Sequence, residues 1–262
     1  MTIAPPNSVI AAATPLATLA GLIKRLHPAP CGHELIRVGT ANDGGYLIPD
    51  DLGGIAMCFS PGVSTNADFE TDLFHRAGIP SALADGSVDE PPPGAVYHSF
   101  EKLFLGSSSG RGRARLEDWI ARHRPDGLPG DLLLQMDIEG SEYAVLIDTP
   151  ATVLRRFRIM VIEFHSLDWL FSAFGCTLMS AIFDKLLADF IVCHLHPNNY
   201  APALHRGTLT IPPIMEFTFL RRDRVRPGGP PPMIPHPLDA PCVPDKPELT
   251  LPPCWQAVSL AS

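Results

Sequence analysis

Positive charge is in short supply: Lys and Arg number 20 against 28 Asp and Glu in 262 residues, a net charge of −8. A general nucleic-acid binder needs a basic footprint to displace phosphate counterions, so that class is excluded. None of the six cysteines is paired as CxxC, and Cys58 and Cys193 lie inside apolar runs. They read as small core hydrophobes rather than a zinc or disulfide framework, which fits a reducing cytoplasm. The apolar stretch 8–23 is shorter than the roughly 20 residues of a membrane span, contains Pro15, and has Lys24 and Arg25 after it rather than before it. That order is the reverse of a secretory signal, and no membrane partner is expected. Also missing are a G-x-S-x-G elbow, a P-loop and the G-x-G-x-x-G dinucleotide fingerprint, whose mechanics the chain therefore does not use.

What remains is material for a folded core. Hydrophobic residues make up 45% of the chain and charged ones 18%, too apolar for disorder throughout. Composition divides the chain into a leader over 1–30, a central domain over 31–222 and a proline-rich strap over 223–262. Leu16, Leu19, Ile23 and Leu26 recur at helical spacing, which predicts an amphipathic helix over 15–27. Thirteen prolines fall between positions 212 and 253. Proline lacks the amide donor of a sheet, so this tail is expected to lie extended over the surface, anchored by Leu238, Leu249, Leu251 and Trp255.

Between leader and tail, short apolar runs alternate with helical patterns. Strands are expected over 55–59, 81–84, 95–100, 132–136, 158–162, 190–195 and 214–220. Helices are expected over 67–77, 114–123, 141–147 and 177–189, with Gly78 ending the first. The alternation predicts an α/β fold, doubly wound around a mostly parallel seven-stranded sheet.

Ligands of such sheets bind beyond the carboxyl ends of the strands. The first strand opens into Ser60-Pro61-Gly62-Val63-Ser64-Thr65-Asn66, the second ends at Asp85, and the fourth at Asp137-Ile138-Glu139-Gly140. Glu163-Phe164-His165 ends the fifth strand and His194-Leu195-His196-Pro197-Asn198-Asn199 the sixth. Asp85 follows Gly62 by 23 residues, the placement of an acid that accepts hydrogen bonds from a ribose diol. A single glycine in the first turn, where a Cβ would push a cofactor away, suits a nucleoside cofactor without phosphates. Asp43-Gly44-Gly45 reads either as a hairpin turn or as a place where Asp43 or Tyr46 closes over the cofactor. His194 reads as a packed core histidine, and Glu139 and Glu142 as carboxylates favoured at a helix start.

The segment Leu134-Gln135-Met136-Asp137-Ile138-Glu139-Gly140-Ser141-Glu142-Tyr143-Ala144-Val145-Leu146 resembles the hallmark of FkbM-type methyltransferases. Asn42-Asp43-Gly44-Gly45-Tyr46, the stretch 60–70 and the 194–199 segment are similar to the same group, so the resemblance spans roughly 35–222. It implies a class I, Rossmann-like methyltransferase fold with an antiparallel last strand, S-adenosylmethionine as cofactor, and O-methylation of a small molecule or sugar. It also implies that Ser60, Gly62 and Asn66 meet the methionine part, Asp85 the ribose, and Asp137 the region of the sulfonium and acceptor.

Methyl transfer needs an oxygen aligned with the methyl and a group to take its proton. Asp137 is expected to orient the acceptor or the cofactor amine, with His165 or His196 as base. Asp137 with Glu163, His165 or His196 equally offers ligands to a divalent ion, although none is required for the methyl-transfer reading. The alternatives are a metal-dependent α/β hydrolase or sugar-modifying enzyme, and a silent cofactor-binding scaffold whose strap engages partners. The sequence specifies no oligomeric state.

Overall fold

The structure is a computed structural model, and it describes residues 12–124 and 129–257. The first eleven residues of the expected leader and the last five of the expected strap lie outside the described residues. The chain starts with α1 (Leu16–Arg25) and an antiparallel hairpin of β1 (Leu35–Val38) and β2 (Tyr46–Pro49). Then come β3 (Ile55–Pro61), α2 (Asp68–Ala77), β4 (Ser81–Ala84) and β5 (Ser99–Glu101). The two-residue strands β6 (Phe104–Leu105) and β7 (Arg113–Ala114) pair with each other before α3 (Leu116–His123) and β8 (Asp131–Met136). The second half runs α4 (Glu142–Asp148), α5 (Ala151–Leu154), β9 (Phe157–Phe164), α6 (Ala173–Asp189) and β10 (Phe190–Pro197). A small hairpin of β11 (Leu204–Arg206) and β12 (Leu209–Ile211) precedes β13 (Met215–Arg221).

One seven-stranded sheet organises the molecule, in the order β10-β13-β9-β8-β3-β4-β5. The pairs β5–β4, β4–β3, β3–β8 and β8–β9 are parallel. β13 is antiparallel to both β9 and β10. The fold is therefore α/β, but the sheet is mixed rather than parallel throughout. The connection from β10 to β13 is spent on the separate β11–β12 hairpin rather than on the helix that a parallel return would use, and β13 comes back antiparallel beside β10.

Alternation along each strand sorts residues into two cores. In β8, Leu132, Leu134 and Met136 join one cluster and Leu133 the other. The larger cluster is roofed by α1, α3, α4 and α6, through Leu19, Trp119, Leu146 and Phe183 among others. The smaller is covered by α2 and the β1–β2 hairpin, through Phe69, Leu73, Val38 and Ile48. Both faces are thus closed, one by a hairpin and a single helix.

The third expected strand begins at Ser99 rather than at 95, because Ala95 N–H turns back to the Pro92 carbonyl. Leader and strap meet in the larger core. Leu251 and Trp255 are buried there with α1, and His27 Nε2 lies 2.9 Å from the Cys254 carbonyl. Of the expected anchors, Leu251 and Trp255 are buried, whereas Leu238 is exposed. All six cysteines are free and five are buried, as small core residues are. Among the described residues, no helix is long and apolar enough to cross a membrane.

Candidate functional site

Two neighbouring cavities open at the carboxyl ends of β3, β4 and β8, of about 290 and 280 Å³. Asp43, Gly62, Ser64 and Asp137 line both. Each alone lies near the small end of ligand sites (~300–1,000 Å³), and the shared wall lets one elongated ligand span the two.

The turn after β3 is shaped by its own neighbour. Gly62 has φ +92°, and a Cβ there would stand 1.5 Å from the Asp137 carbonyl oxygen. Gly62 N–H donates to the Ala84 carbonyl at 2.8 Å, and Asp137 N–H to the Pro61 carbonyl at 3.3 Å. The glycine expected to clear a cofactor is thus required first by the approach of the β8 end. Asn66, expected at the cofactor, lines the first cavity but its side chain serves the loop. Its Oδ1 accepts from Asp68 N–H at 2.8 Å and its amide donates to the Asp43 carbonyl at 3.1 Å.

After β8 the chain turns through two left-handed residues, Glu139 (φ 54°) and Gly140 (φ 95°). Glu142, fully buried at the start of α4, pins this turn: its Oε1 accepts from the backbone N–H of Ile138 and of Gly140, each at 3.1 Å. The same oxygen lies 3.1 Å from His165 Nδ1. A proton on Nδ1 leaves Nε2 facing Glu139 Oε2 at 3.4 Å, and Asp137 Oδ1 and Glu163 Oε1 at 3.8 Å each. Glu142 is therefore more than a helix-start carboxylate, because it orients the histidine beside Asp137.

These acids sit in a poorly solvated, negatively charged corner. Burial pushes the Asp137 carboxyl up to about 7 although His165 opposes the shift. Burial, with the charges of Asp137 and Glu216, also raises Glu163. For His165, burial alone would lower the pKa, but the Glu142 hydrogen bond and the surrounding carboxylates outweigh it and raise it. Asp43 is raised by burial and by Glu216. Neither Lys nor Arg lines the two cavities among the described residues.

A buried polar string backs the first cavity. Ser60 Oγ hydrogen-bonds Glu70 and lies 2.5 Å from Gln135 Oε1, and the Gln135 amide donates to Tyr46 Oη at 3.3 Å. One hydroxyl proton cannot serve two acceptor oxygens, so a neutral Glu70 supplies the second. Burial lifts Glu70 to about 7, and its Oε2 has no partner. Tyr46 is raised by burial and nearby carboxylates, so its phenol stays protonated. Ser60 and Tyr46 are expected here from the sequence, whereas Glu70 and Gln135 are not. A signal existed for Glu70, which precedes the buried Leu73 by three residues and so shares its inward face. Ser60 is fully buried, so it reaches a ligand only through this string.

Asp85 ends β4 on the wall of the second cavity. Its oxygens accept from Ser64 N–H at 2.7 Å, and from Ser87 N–H at 2.7 Å and Oγ–H at 2.6 Å. A carboxylate offers about four lone-pair sites, so one acceptor position remains.

His196 goes elsewhere. It lines a different cavity, beneath the strap, with Nδ1 3.2 Å from Glu216 Oε2 and Nε2 3.0 Å from Glu248 Oε1. Burial disfavours its charge, but Glu216, Asp239 and Glu248 overcome this and lift it to about 9. A cation with both nitrogens engaged is no proton acceptor at neutral pH, so the expected role as base fails on geometry. His194 pairs with Asp239 at 2.8 Å. Asn199 takes Val243 N–H at 2.8 Å and donates to the Val243, Lys246 and Pro247 carbonyls at 3.0–3.2 Å. The end of β10 is thus mostly a fastening for the strap, Asn198 excepted: its amide donates to Glu163 Oε1 at 2.9 Å.

This fastening makes a pH prediction. A histidine raised in the fold from its reference 6.5 to about 9 stabilises fully below pH 6.5 and ceases to as pH rises through 9. The melting-temperature advantage of wild type over His196→Gln is expected to be largest below pH 6.5 and to shrink toward pH 10. A constant difference across that range would remove the imidazolium from the account.

Family models and curated proteins were both compared with the chain, and none matches it.

Proposed function

We propose that the chain is an S-adenosylmethionine-dependent methyltransferase of the class I, Rossmann-like kind, acting on a hydroxyl of a small molecule or sugar. The observation that carries this reading is the pair of joined cavities at the strand ends, lined by Asp43, Asp85, Asp137 and Glu139 with no Lys or Arg among the described residues. A phosphate-bearing cofactor would meet repulsion there, whereas a nucleoside carrying a sulfonium and an ammonium is attracted. Supporting it are the seven-stranded sheet and its antiparallel last strand β13, which agree with what the FkbM-type resemblance implies.

S-adenosylmethionine supplies, when bound, a methyl group made electrophilic by its positive sulfur. On this reading, Asp85 uses its spare acceptor position for a ribose hydroxyl. Glu70 Oε2, buried and unpartnered, and Asp43 face the first cavity, where an ammonium group finds acceptors. Asp137 stands where the two cavities meet and accepts the hydrogen bond of the acceptor hydroxyl, orienting it for in-line attack. Glu142 holds His165 against Asp137 and keeps that carboxylate in place.

Calorimetry of the full chain with S-adenosylmethionine tests the reading. Micromolar binding is expected, weakened about tenfold or more in Asp85→Asn, since a hydrogen bond to a charged group contributes about 1.5–3 kcal/mol. No heat and no thermal shift at millimolar cofactor would end it.

A further inference from the structure

We propose that Asp137, Glu163 and His165 hold a divalent cation beside the methyl-acceptor position. Their ligand atoms all lie within 4.8 Å of one another. His165 Nε2 is 3.8 Å from both Asp137 Oδ1 and Glu163 Oε1. An ion with bonds of about 2.0–2.2 Å holds neighbouring ligands roughly 3–3.5 Å apart, so the two histidine distances need to contract by about half an ångström, and the two carboxylates, within 4.8 Å of each other, need to close as well.

Two independent features point to a ligand here. Asp137 Oδ1 and Glu163 Oε2 are buried with no hydrogen-bond partner, and the Glu163 side chain is only 3% exposed. Unpaired buried carboxylate oxygens are costly unless a cation meets them. The supporting groups are also in place. Glu142 takes the Nδ1 side of His165 and leaves Nε2 toward the ion, the usual way a second carboxylate orients a ligating imidazole. Asn198 donates to Glu163 Oε1.

Two carboxylates with one imidazole suit several divalent ions, among them Mn²⁺, which takes about six ligands and serves as the probe. Three protein ligands leave about three positions open. The role of the ion rests on the methyltransferase reading: it would take two adjacent oxygens of the acceptor and acidify the hydroxyl to be methylated. The substrate class is then a vicinal diol or a hydroxyl next to a carbonyl, as in sugars and catechols.

Mn²⁺ titration of the full chain, followed by electron paramagnetic resonance, tests the site without any turnover. One Mn²⁺ per chain is expected at micromolar concentration, with Glu163→Gln and His165→Gln weakening it at least tenfold. Pulsed measurements on the wild type are expected to detect one imidazole nitrogen bound to manganese, which needs no variant to fold. Absence of that coupling, no bound Mn²⁺ at one millimolar, or folded variants that bind like wild type would each overturn the proposal. Calorimetry separates the two readings. Cofactor binding without a manganese site removes only the ion, and a manganese site without cofactor binding removes the methyltransferase reading and leaves the ion.

Discussion

Gly62→Ala is expected to lose about 3–5 kcal/mol of stability, the range of severe single substitutions. Two costs add. At φ +92° an L-residue costs roughly 1–2 kcal/mol in backbone conformation alone. The larger cost is steric, because the new Cβ would lie 1.5 Å from the Asp137 carbonyl and 2.7 Å from its carbon. Backbone cannot swing aside as a side-chain tip does, so the β3 turn and the β8 end must separate. Their separation also breaks the Asp137–Pro61 hydrogen bond and spreads both cavities, so cofactor affinity falls with stability. Gly78→Ala is the control, since Gly78 has φ +68° with nothing within 4 Å of its would-be Cβ. It carries the conformational cost alone, about 1–2 kcal/mol. Urea denaturation of the two variants measures the difference. Equal losses would show that the two strand ends do not approach as closely as described.

Glu70→Gln is expected to become more stable than wild type as pH rises, by roughly 3 kcal/mol at pH 8. Burial lifts the Glu70 carboxyl from 4.5 to about 7 in the folded chain. A raised carboxyl contributes fully below the unfolded value of 4.5, and its contribution is lost as pH climbs through 7. The unfolded chain gains by ionising over that window while the folded chain still holds its proton. Glutamine keeps the shape and a donor toward Ser60 but has nothing to titrate, so its stability should lack this decline. The two proteins should agree within about 1 kcal/mol near pH 4 and diverge up to pH 8. Denaturant midpoints at pH 4, 6 and 8 give the comparison, and parallel curves would mean that the fold does not raise the Glu70 carboxyl.

The strand ends of the site were legible because their causes are local. Apolar runs such as 132–136 stop at an acid, and an acid at the mouth of a parallel strand marks a ligand edge. Asp85, Asp137 and residues 61–66 are legible in this way and line the cavities, whereas Ser60 lies buried behind them. Glu70 escaped because an acid in the first turn of a helix already has a local reason to be there. Glu142 was noticed but read as a helix-start acid, for the same reason. Its hold on His165 depends on a strand that starts 15 residues later in the chain. His196 suggests a base for the opposite reason. Its place after an apolar strand looks like that of a site residue, yet Glu248 of the strap, 52 residues further on, occupies one ring nitrogen.

The sequence by itself determined the alternation of strands and helices, and with it an α/β fold carrying acids at the strand mouths. Hydrophobic period and turn chemistry are properties of short windows, and short windows settle them. Only the tertiary structure decided which acids share a cavity, which histidine stays beside Asp137, and which is taken by the strap. Those outcomes depend on distances between residues far apart in the chain, and on burial that no short window contains.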